Sequence, residues 1–103
     1  MVKVPLEAGS TGEQFREAIT AHWLPALHAF KPQMLFISAG FDAHQEDEMA
    51  GLGLVENDYA WVTEQMRDIA DQYAEGRIVS ALEGGYDSSA LPRSVVAHLK
   101  ALM

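Results

Sequence analysis

The 103-residue chain contains no cysteine. Disulfides and thiolate chemistry are therefore excluded, and any metal it holds must be met by Asp, Glu or His. Cations are scarce: 7 Lys and Arg stand against 15 Asp and Glu, a net charge of −8. Nucleic acids and anionic membranes are bound by basic patches, so this balance argues against both as partners. No apolar run approaches the ~20 residues of a membrane span. The opening MVKVPLEAGS lacks the apolar core of a secretory signal, which makes a cytoplasmic protein the default expectation. Internal repeats and low-complexity linkers are missing too. So are GxGxxG and the lysine of a phosphate-binding loop, which argues against nucleotide binding. What is present is a 49% hydrophobic composition, enough for the core of one domain or part of one.

Periodicity divides the chain into alternating elements. Ser10 and Glu13 have capping-box spacing and predict a helix from near residue 11, with Phe15, Ile19 and Trp23 on its buried face. Pro25 predicts a break near residue 24 and a short second helix over 25–30. QMLFISA, residues 33–39, is a continuous apolar run and predicts a strand covered on both faces. Residues 40–55, rich in glycine and acids, read as a long loop. A helical stripe follows over 57–73, through Tyr59, Val62, Met66, Ile69 and Tyr73, and Gly76 ends it. RIVSAL, residues 77–82, predicts a second buried strand. After EGGYD, Ser88 or Ser89 caps a last helix carrying Leu91, Val95 and Leu99.

Strands alternating with helices predict an α/β fold, a parallel sheet with flanking helices. Ligands of such sheets bind beyond the carboxyl ends of the strands. Both unusual loops, GFDAHQEDEMAG and EGGYD, fall there, which puts Asp42 and Tyr86 on one side of the sheet. Asp42 follows the first strand directly. It reads either as a ligand for a hard or borderline metal or as a turn aspartate. His44, two residues on, would share a face with it in extended geometry. Glu46, Asp47 and Glu48 are further acids nearby, although a charge run in a loop is usually solvated. In EGGYD, Tyr86 reads either as a hydrogen-bond donor to an oxyanion or as a packing residue on a tight turn.

Taken together, SAGFDAHQEDEMAGLGL and LEGGYD resemble the carboxyl-terminal part of the histone deacetylase superfamily. The likeness is greatest to the class II-type and bacterial deacetylase and acetylpolyamine amidohydrolase branch. VPLEAGS, LPALHAFKPQMLFISAGFDAH and the final helix fit the same pattern, so the resemblance covers nearly the whole chain. It implies an arginase-like α/β fold and hydrolysis of acyl-amide bonds on acetyl-lysine or acetylated polyamines, with one zinc ion. By this resemblance Asp42 is the last of the metal ligands, and Tyr86 polarises the substrate carbonyl. Gly84 and Gly85 let the acyl group pass close to the backbone, and Met49 lines the substrate channel. His44 becomes a neighbour of the site rather than half of a metal pair.

The departures are large. The family's catalytic domain is several times longer, and its paired histidines and remaining metal ligands lie upstream of the region matched here. His22, His28 and His98 lie outside the matching motifs. Val55 stands where the family often has a helix-capping threonine. The expectation is therefore that residues 1–103 are a carboxyl-terminal portion of a deacetylase-like domain, neither active nor zinc-retaining alone. An exposed sheet edge would invite homo-oligomers. The rival reading is a non-catalytic assembly module built on the same fold.

Overall fold

The computed structural model describes all of residues 1–103. Its elements run α1 (Gly12–Ala18), a π-helical turn (Ile19–Trp23), α2 (Leu24–Phe30), β1 (Leu35–Ala39), α3 (Glu56–Tyr73), β2 (Ile78–Leu82) and α4 (Ala90–Leu102). β1 and β2 are parallel, in register from Leu35 opposite Ile78 to Ala39 opposite Leu82. Parallel neighbours need a long crossover, and α3 supplies it.

The start of α1 lies one residue later than capping-box spacing suggests. Thr11, not Ser10, is the N-cap, and its N–H and hydroxyl both reach Gln14 Oε1, at 2.9 and 2.6 Å. Ser10 instead donates its hydroxyl to the Glu7 carbonyl at 2.7 Å. Pro25 does not break the helix; it widens it. The Leu24 N–H reaches back to the Ile19 carbonyl, one residue further than in an α-helix. This π turn makes room for a proline that can neither donate nor tolerate the carbonyl of the preceding turn.

Core packing lies on one face of the sheet. Leu35 is buried with Met66, Ile69, Ala70 and Ala74. At the strand's end, Ala39 and, just beyond it, Phe41 pack with Leu54 and Tyr59, and Ile37 touches both groups. The opposite face is open, which corrects the expectation of strands covered on both sides. Phe36 is 75% exposed and its register partner Val79 is 44% exposed. An apolar run shows that a strand suits burial on two faces, but these residues supply a helical layer for one. Along the edge of β1 away from β2 runs an open apolar groove of ≈ 460 Å³, walled in part by Trp23, Phe36, Val62 and Met66.

The buried stripe of α4 also departs from the one expected. Ala90, Ser94, His98 and Ala101 are buried, while Leu99 is exposed and Leu91 and Val95 are half-buried. The small side chains let α4 lie close on α3. His98 then bonds both neighbours, Nδ1 to Thr63 Oγ1 at 2.7 Å and Nε2 to Ser80 Oγ at 2.8 Å.

Candidate active site

The loops after β1 and β2 continue the pairing of their strands. The Glu83 N–H donates to the Ala39 carbonyl and the Phe41 N–H to the Gly84 carbonyl, each at 2.9 Å. These bonds bring the Gly40–Phe41–Asp42 turn against Gly84. A Cβ at Gly84 would lie 3.0 Å from Asp42 Oδ2, and one at Gly40 would lie 3.3 Å from Oδ1. Glycine at 84 thus gives the Asp42 carboxylate its place. That carboxylate takes no hydrogen bond and no ion pair from the chain, in contrast to Asp47 and Asp58. A half-buried carboxylate with both oxygens free has the donor chemistry of a metal ligand.

Gly85 is needed for a different reason. Its φ is +139°, and a Cβ there would meet Leu91 Cδ1 at 2.6 Å and Phe41 Cβ at 3.3 Å. The room beside this glycine is filled by the chain's own side chains, which draw α4 up to the end of β1. Tyr86 follows with its side chain 64% exposed, and Met49 on the facing loop is 70% exposed.

Asp47 joins the two loops. Its Oδ1 accepts the Met49 N–H at 2.9 Å, and its Oδ2 accepts the N–H of Tyr86 at 2.6 Å and of Asp87 at 3.1 Å. The Met49 amide, followed by those of Tyr86 and Asp87, lowers the Asp47 pKa against the opposing effect of burial. The sequence places this residue in a charge run that reads as solvated, yet it is 5% exposed. One local signal was available: an aspartate accepting the N–H two residues on is the Asx turn favoured by this residue type.

His44 is fully buried and turned away from any partnership with Asp42. Its Nδ1 accepts the Glu46 N–H at 3.1 Å, so the ring proton sits on Nε2 and is donated to Glu56. That bond, assisted by Arg93, lowers the Glu56 pKa. Arg93 also pairs with Glu46 and, at 3.5 Å, with Glu56. Ligand atoms of His44, Glu46 and Glu56 lie within 4.8 Å of one another. Arg93 pairs with both glutamates and His44 Nε2–H is given to Glu56, so these three groups are tied into an ion-pair network of their own. Tyr59 packs beneath Phe41 with ring centroids 5.0 Å apart, and its buried hydroxyl has no partner. Burial, then the charge of Asp42, pushes its pKa well above the usual phenol range.

The histone deacetylase domain family matches residues 1–102. Type-2 histone deacetylase 1 of Dictyostelium discoideum is 41% identical over 102 residues, which are 99% of this chain and 7% of that protein. The histone deacetylase-like amidohydrolase of Pseudomonas aeruginosa is 34% identical over 98% of this chain and 27% of its own length. Among solved structures, the HDA15 HD domain superposes with a TM-score of 0.84 at 29% identity, covering 93% of this chain and 26% of that one. The histone deacetylase Clr3 gives the same TM-score at 27% identity, covering 93% and 16%. The chain thus spans a minor part of each of these relatives.

Proposed function

The chain belongs to the histone deacetylase family, and on that premise we propose that it forms the carboxyl-terminal share of a zinc-dependent site hydrolysing the acyl-amide bond of acetyl-lysine or an acetylated polyamine. One observation carries the reading. Asp42, its carboxylate unpartnered, and Tyr86 are held at the same end of a parallel sheet by direct bonding between their loops.

The residues present fit zinc in part. Asp42 offers one ligand, whereas a catalytic zinc site takes three from the protein. The other cluster of ligand-type side chains, His44, Glu46 and Glu56, is occupied by its own bonds and by Arg93. The chain alone is therefore expected neither to hold zinc tightly nor to turn over substrate. In the complete domain, zinc supplies a water of lowered pKa and polarisation of the amide carbonyl. Asp42 would be the residue of this chain that holds such an ion, from the end of β1. The Tyr86 phenol donates a hydrogen bond to the carbonyl oxygen as it gains negative charge, and its surroundings leave the hydroxyl free for that role. Met49 walls the approach of the substrate's methylene chain. The acylated nitrogen is a neutral amide, so it is the unacylated amines beside it in a polyamine, or basic residues flanking an acetyl-lysine, that suit the net charge of −8.

The test is Tyr86→Phe in the complete domain. Loss of one oxyanion donor lowers turnover by roughly 10²–10³, with zinc content unchanged. An unaltered rate on an acetyl-lysine peptide would contradict the assignment.

A further inference from the structure

Tyr86 and Met49 lie on different loops, and both have exposed side chains. What fixes them is the main chain, and the main-chain N–H groups of both end on one carboxylate. Asp47 takes Met49 on Oδ1 and Tyr86 with Asp87 on Oδ2, while its own side chain is nearly enclosed. The next residue, Asp87, passes the restraint into α4: its Oδ1 accepts the N–H of Ser89 at 2.9 Å and of Ala90 at 2.7 Å. On the other side, Gly85 turns with its positive φ against Leu91. The Tyr86 backbone is thus held between a glycine turn and the Asp47 carboxylate.

We propose that Asp47 is a positioning residue: it sets the Tyr86 phenol by holding the Tyr86 and Asp87 N–H groups, and makes the loops after β1 and β2 one unit. The inference rests on the reading of Tyr86 as the oxyanion donor. It follows from the donor count. Three N–H groups converge on Asp47, and both carboxylate oxygens are used. Asparagine has the same shape but only one acceptor oxygen. Whichever way its amide turns, an NH₂ faces either Met49 N–H or the Tyr86–Asp87 pair, and that side of the tie opens. A shift of about 1 Å in a group aimed at the reacting atoms can cost roughly 10²-fold.

The experiment is a double-mutant cycle in the complete domain, with Asp47→Asn, Tyr86→Phe and the pair, read as kcat on an acetyl-lysine peptide. Hydrogen exchange at the Met49, Tyr86 and Asp87 amides is read alongside. The expected result is a loss of roughly 10²-fold in kcat for Asp47→Asn with zinc content intact. No further loss should appear when Tyr86 is already phenylalanine, because Asp47 acts through Tyr86. An equal loss in both backgrounds, or no loss in the single variant, overturns the proposal. Should Tyr86→Phe itself be silent, the functional reading fails, and exchange still decides the tie. Faster exchange in Asp47→Asn at the Met49 amide or at the Tyr86 and Asp87 amides supports it, and unchanged exchange at all three overturns it. Exchange in the unmutated protein needs no variant to fold: rapid exchange at the Tyr86 and Asp87 amides there also overturns it.

Discussion

At Gly85 the backbone adopts a φ of +139°, a region that side chains disfavour, and Leu91 fills the place of the missing Cβ. Gly85→Ala therefore faces both strain and a clash. We expect it to lower stability by about 1–3 kcal/mol, measurable by urea denaturation. Gly84 is constrained by space instead, because the Asp42 carboxylate lies where a side chain would begin. At this scale the sequence was partly legible. The EGGYD loop signals close backbone approach, and Asp42 stands out because it follows an apolar strand. Asp47 was not legible as a tie between loops. Its partners at positions 86 and 87 lie 39 and 40 residues away, and no local pattern encodes a bond of that range. Asp42-x-His44 misleads for the converse reason. Spacing assumes that extended backbone continues, whereas the chain turns after Phe41 and sends His44 to Glu56.

Among the elements, the helices were read within a residue or two because their periodicity and punctuation are local. α3 begins at Glu56 and ends at Tyr73, and the chain then turns through Glu75 and Gly76, both with positive φ. Its N-terminus is only half capped. Asp58 Oδ2 accepts the Val55 N–H at 2.9 Å, but valine has no side-chain oxygen to return a bond to the first turn. The Val55 backbone is already extended, with φ −127° and ψ 171°, as a cap requires. Val55→Thr is thus expected to stabilise the protein by about 1 kcal/mol, raising the urea midpoint with an unchanged slope. The face of α4 was harder to read than its position. Its large residues suggest one stripe, but close packing against α3 selects the small ones, together with His98. The pattern of apolar residues does not show which neighbour a helix will meet.

Across the whole molecule, His98 links α3, β2 and α4. The Thr63 hydroxyl donates to the Tyr59 carbonyl at 2.7 Å, so it accepts from His98 Nδ1–H, while Nε2 accepts from Ser80. Burial lowers the pKa of His98 below its ordinary value of 6.5. The unfolded chain therefore takes up this proton first, and stability is full above that value and falls as pH drops through and below it. Asp47 and Glu56 are also lowered, so a second loss follows under more acid conditions, below their ordinary values of 3.8 and 4.5. Denaturation followed across pH should show both steps. His98→Gln should remove the upper one and leave the lower.

At the same scale, the parallel sheet and the meeting of its two loops at the strands' carboxyl ends were legible from the alternation of elements, and the one-sided layer was not. Burial of the second face depends on which residues come to lie there, and a run of apolar residues does not specify that. The proposed function depends most on Asp42, which follows β1 with both carboxylate oxygens free. Its most direct test is the zinc content of the complete domain with and without Asp42→Ala, after dialysis against metal-free buffer. Stoichiometric zinc in the unmutated domain and its loss in the variant, with fold retained by circular dichroism, is the predicted result. A variant that keeps stoichiometric zinc would contradict the account.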